Sequence, residues 1–258
     1  MRVFVLWRYA WLRLARAHYL KALFGMAFFV GGAVAWTNTE AITPLGQMSS
    51  LELGMKVART FLWLAAVWIG AGALAGEISA QTARTLMTKP VSRFEIAVGM
   101  LGGGFAYLAL MIVIFAAEIH LICWWRGIPV DWRLEYLLLT LLVPLVAVMA
   151  MAQLFSLLAA RPVAIFFAVL LSFESLGRSL AERLEAGDVL GAFQQPAAAA
   201  AHAVYLAMPT YGRFVMSYTE FSRIGPAVGP LLFHSAAALL YALGIAAFSS
   251  FVLSRKDV

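Results

Sequence analysis

Long apolar runs dominate the chain, and short polar stretches separate them. A run of about 20 apolar residues crosses a bilayer as a helix, at ~1.5 Å of rise per residue. Six such spans are predicted, at Tyr19–Trp36, Val57–Gly76, Glu95–Trp125, Glu135–Ala160, Val163–Leu180 and Leu231–Leu253. The alternating polarity over ~10-residue segments that marks a transmembrane barrel is missing. In hydrocarbon every backbone N–H and C=O needs a partner within the protein, and a helix supplies one inside its own segment. The predicted fold class is an all-α polytopic membrane protein of six transmembrane helices, with residues 1–258 forming a single transmembrane domain.

The segments between the spans refine that plan. Residues 1–18 interleave Val3, Phe4, Leu6, Trp7, Leu12 and Leu14 with Arg2, Arg8, Arg13 and Arg16. Aromatics and arginines in that pattern predict an amphipathic helix at the membrane surface. Residues 37–55, with Pro44 and two acids, are expected to form a loop. The third run is long and is expected to tilt. Its Gly102-Gly103-Gly104 stretch strips side chains from one turn, which favours close packing against a neighbour over a bend. Arg161-Pro162 reads as a tight turn. Residues 181–230 are too polar to span and too apolar for a free loop, so short extracytoplasmic or re-entrant helices are expected there.

Composition agrees with a membrane environment. Of 258 residues, 63% are hydrophobic and 12% charged, where soluble domains have roughly 45–50% and ~25%. Mean hydropathy is +0.87. So little charge cannot cover a soluble enzyme, a disordered chain or a nucleic-acid-binding domain, and no nucleic-acid partner is expected. The net charge of +6 instead reflects basic residues kept on the cytoplasmic side. With the amino terminus inside, eleven basic residues fall inside and eight outside. Both termini are therefore expected in the cytoplasm. Cys123 has no second cysteine to pair with. No cleavable signal peptide is expected, because the first residues are amphipathic and basic.

The segment Glu77–Arg93 joins two predicted spans on the cytoplasmic side. Ile78–Met87 has room for about three helical turns before Pro90 stops them. Leu86 and Met87 offer apolar contacts, while Arg84, Lys89 and Arg93 favour water. A short, stiff helix between two spans is a mechanical handle for a cytoplasmic partner. Two acids lie inside predicted spans, Glu118 and Glu174, and such residues are functional candidates by default. Glu174 and Arg178 stand four apart and share a helix face, so they are able to pair. Glu118 and His120 are two apart and point to opposite sides, which disfavours a shared metal. No metal site is expected. Trp7, Trp11, Trp36, Trp124, Trp125 and Trp132 fall near predicted interfaces, as an aromatic belt does.

Glu77, Thr82, Pro90, Val91, Ser92 and Arg93, with Gly99 six residues further, resemble at matching spacing a motif of type-two ABC exporter permeases. Gln81, Ala83 and Met100 depart from it. The six-span plan, the amphipathic start and the long segment before the last span are also similar to that family. So is the stretch Tyr205–Phe214. The resemblance implies a permease subunit that forms the translocation path, with a coupling segment carried by Glu77, Gln81, Thr82, Arg84, Leu86, Met87, Pro90 and Arg93. It implies two copies of a separate ATP-binding subunit as partners, and a second copy of this permease or a related one. An accessory extracytoplasmic protein is a further possible partner. The chain has no G-x-x-x-x-G-K-[ST] loop of its own, so ATP and Mg are expected on the partner, with no cofactor and no catalytic residue here. The implied location is the inner membrane of a prokaryote. The rival readings are an ion- or proton-coupled secondary transporter using Glu118 and Glu174, and an intramembrane enzyme, for which no convergent catalytic set is found.

Overall fold

The computed structural model describes residues 2–18, 21, 25, 28–29, 31–32, 44–74, 92–127, 129, 132–172 and 228–255. Among these the regular structure is all helical, with no strand. Seven helices follow in chain order: α1 (Arg2–Arg16), α2 (Pro44–Ala73), α3 (Arg93–Trp125), α4 (Arg133–Thr140), α5 (Leu142–Leu158), α6 (Arg161–Ser172) and α7 (Val228–Arg255). Among the described residues four stretches are long and apolar enough to cross a membrane: Glu52–Ala73, Arg93–Trp125, Leu134–Leu158 and Ser235–Arg255. Of the two other expected spans, Tyr19–Trp36 lies largely outside the described residues. The fifth is seen only in its first part, as α6.

α5 forms the centre. Every residue from Pro144 to Gln153 is buried, as expected for a helix that is apolar all round. α2, α3, α6 and α7 surround it. Leu62 and Ile69 of α2, Leu108, Met111 and Phe115 of α3, and Leu145 and Met149 of α5 fill the core between them. Trp63 of α2 donates from its indole N–H to the Ser172 hydroxyl of α6 at 2.8 Å, which fastens α6 to the bundle.

Two boundaries differ from the sequence reading. The expected loop over residues 37–55 is helical from Pro44 onward. Proline suits a first helical turn, where its missing N–H has no intrahelical partner to lose. Met48, Leu51, Met55, Ala58 and Leu62 recur at helical spacing through the polar stretch. Glu52 and Lys56 pair at 3.0 Å along the same helix, so their charges do not end it. The fourth expected span, in turn, runs as one apolar stretch, Leu134–Leu158, whose hydrogen-bond ladder is interrupted at Leu141, between α4 and α5, while the backbone there stays helical at φ −65°, ψ −25°. Pro144 causes this: it has no N–H for the Thr140 carbonyl, and its ring crowds that carbonyl.

The glycine run of α3 is a packing device, since the helix continues unbroken from Arg93 to Trp125. α1 buries Leu6, Ala10 and Leu14, at positions i, i+4 and i+8, against it. A Cβ on Gly99 would sit 2.7 Å from the Leu6 Cβ, and one on Gly103 would lie 2.9 Å from both Trp11 N and Trp7 O. The two backbones thus meet where side chains are absent. Gly104 turns the other way, toward Met149 of α5 and Ile69 of α2.

Candidate functional site

α1 and the C-terminal end of α2 lie at the same end of the bundle as the start of α3, and three arginines hold that end together. Arg13 of α1 donates to the Ala73 carbonyl at 3.4 Å, at the C-terminal end of α2. Arg93, the first residue of α3, donates to the Leu253 carbonyl near the end of α7 at 3.1 Å. Helix C-termini leave carbonyls without intrahelical donors, and a guanidinium satisfies them while meeting the negative end of the dipole. Arg161, at the start of α6, lies 5.5 Å from the centroid of the Trp68 ring. Its Nη2 would be 3.0 Å from a Cβ on Gly72, so the glycine leaves room for the guanidinium.

The start of α3 is capped firmly. The Ser92 hydroxyl accepts from the Glu95 N–H at 3.1 Å, and the Glu95 carboxylate accepts from the Ser92 N–H at 2.8 Å. This reciprocal pair is a capping box. The Ser-x-x-Glu spacing was visible in the sequence, where Ser92 was read only as part of the longer motif. Arg161 reads from the sequence as a turn residue and one of the eleven inside basic residues.

Residues 74 and 92 therefore flank segment 75–91 from two anchored helix ends. Of the residues expected to carry coupling, Arg93 lies in the described structure and holds α7. Glu77, Gln81, Thr82, Arg84, Leu86, Met87 and Pro90 lie outside the described residues. So do Glu174 and Arg178.

The opposite end carries different chemistry. Trp124, Trp125 and Trp132 are exposed there, where an aromatic belt belongs. His120 and Glu118 diverge, as their spacing requires. The Nδ1 of His120 lies 2.8 Å from the Ala116 carbonyl, and its Nε2 lies 2.9 Å from Glu135 Oε1 on α4. The pair bridges α3 to α4 across the turn that Gly127 makes at φ 65°. Glu118 points instead toward Gly31 and is buried. Cys123 is buried as well. Among the described residues no three His, Cys, Asp or Glu side chains gather as metal ligands.

No family model matches the chain, and no curated protein matches it. The four apolar helices define a multi-pass α-helical membrane protein.

Proposed function

We propose that the chain is the membrane-spanning permease subunit of an ATP-driven ABC exporter, with six transmembrane helices and both termini in the cytoplasm. The observation that carries the reading is the anchoring on both sides of segment 75–91. α2 ends tied to α1 through Arg13 and Ala73, and α3 begins with a capping box and an arginine tied to α7. A push on the segment would reach α1, α2, α3 and α7 together rather than bend a loose loop. This supports the motif resemblance from Glu77 to Gly99, in which that segment meets a separate ATP-binding subunit. Two such subunits and two permeases would make one motor. ATP-driven closure would switch the path by rigid-body motion of the helices.

The test removes the docking surface without touching the described helices. Leu86→Asp with Met87→Asp places two charges in the expected apolar contact, where desolvating them is costly. The variant should insert and fold as the parent does. It should lose the ATPase in a mild-detergent pull-down, or retain it with hydrolysis uncoupled from transport. Normal transport by this variant refutes the coupling role.

A further inference from the structure

The last third of α3 carries a carboxyl that none of the contacts above employ. Glu118 is only 6% exposed, and its Oε1 is shut off from solvent with no hydrogen-bond partner among the described residues. Gly31 lies against it: a Cβ there would be 2.7 Å from Oε1 and 3.4 Å from Cδ. Glycine at 31 thus leaves space for the carboxyl that any other residue would take. Helical rise sets Glu118 about 9 Å along the axis from Trp124, whose exposed indole lies at the interface end of the helix. The carboxyl therefore lies within the apolar stretch Arg93–Trp125, which is long enough to cross a membrane. The titratable side chain two residues on, His120, is held by Glu135 of α4. Among the described residues an ionised carboxylate in that position has neither a cation nor a donor to Oε1, whereas a neutral carboxyl has no charge to desolvate.

We propose that Glu118 is a proton-binding site within the membrane span, a neutral carboxyl seated against Gly31. This stands independently of the exporter reading. It has a chemical signature, because a protonated carboxyl in an apolar site adds to a hydrophobic carbodiimide. The carboxyl proton passes to one carbodiimide nitrogen, and the carboxylate oxygen bonds to the central carbon. Acyl migration from that oxygen to nitrogen then gives a stable N-acylurea, with every atom of both reactants retained.

The intact protein in membrane vesicles is treated with dicyclohexylcarbodiimide, and in parallel with a water-soluble carbodiimide, and its peptides are read by mass spectrometry. Glu118 should carry the hydrophobic adduct, with at least a tenfold lower yield from the water-soluble reagent. Glu118→Gln should abolish the adduct at that position. Gly31→Ala, which crowds Oε1, should lower the yield several-fold. No adduct at Glu118 in the parent protein, or equal yields from the two reagents, overturns the proposal. An unchanged yield in a folded Gly31→Ala protein overturns the seat against Gly31. Should that variant fail to fold, the two-reagent comparison on the parent protein still decides.

Discussion

Alanine placed in turn at Gly102 and Gly103 should give opposite results one residue apart. At Gly103 the new Cβ would strike the Ala10 Cβ and approach Trp11 N and Trp7 O to 2.9 Å. Two of these are backbone atoms of α1, which no rotamer change can move, so the whole helix must back away. Overpacking of this kind costs roughly 1–3 kcal/mol, and two backbone clashes suggest about 2 kcal/mol. That is about a 30-fold shift toward undocked α1. At Gly102 the nearest atom is Trp7 Cγ at 3.6 Å, an ordinary contact. There the change only removes the helix penalty of glycine, about 0.8–1 kcal/mol within α3 itself. Trypsin reads the difference, because Arg8 and Arg16 are exposed on α1. Cleavage reports the population of the opened helix when opening is fast. In mild detergent, Gly103→Ala should be cut within α1 about 30-fold faster than the parent. Gly102→Ala should be cut at the parental rate. Equal rates for the two variants, or a faster Gly102→Ala, would refute the packing argument.

Other outcomes follow from single contacts. Gln153 is fully buried, its Oε1 has no partner among the described residues, and its Nε2 reaches the Ala97 carbonyl only at 3.5 Å. Gln153→Leu should therefore raise stability by about 1 kcal/mol, visible as a higher melting temperature in detergent, and a lower one would count against it. The contact between His120 and Glu135 is half exposed, so a double-mutant cycle with alanine at both should show coupling of about 0.5 kcal/mol. Strictly additive losses would mean the pair does not hold α3 to α4. For topology, Asp188→Cys should react with an impermeant maleimide from outside the cell, and labelling only from the cytoplasm would reverse the proposed orientation.

Much of the fold was legible because hydrocarbon imposes a strong rule on composition. The runs at Glu95–Trp125 and Leu231–Leu253 were placed within three residues of α3 and α7 at either end. Amphipathic spacing marked α1. The start of α2 was missed because Glu52, Lys56 and Ser49-Ser50 made the stretch polar. A helix end at a membrane surface tolerates polarity that a span does not. The interruption at Leu141 comes from Pro144, which hydropathy does not weigh, and the apolar stretch continues through it.

The sequence by itself determined that the chain is helical and bound to a membrane, since periodicity and hydropathy are local properties. It also showed which residues carry unusual chemistry, Glu118 among them. Only the tertiary structure decided what those residues meet. Gly102, Gly103 and Gly104 are the same residue three times over, yet they face Trp7, the α1 backbone and Met149 in turn. Glu118 and His120 differ by two positions, and one lies against Gly31 while the other reaches Glu135. Arg13, Arg93 and Arg161 read alike as cytoplasmic positive charge, but two close helix C-termini and the third lies over an indole. Such partners come from other helices, 60 residues away for Arg13 and Ala73 and 160 for Arg93 and Leu253. Their meeting depends on how whole helices pack, and no local pattern encodes that.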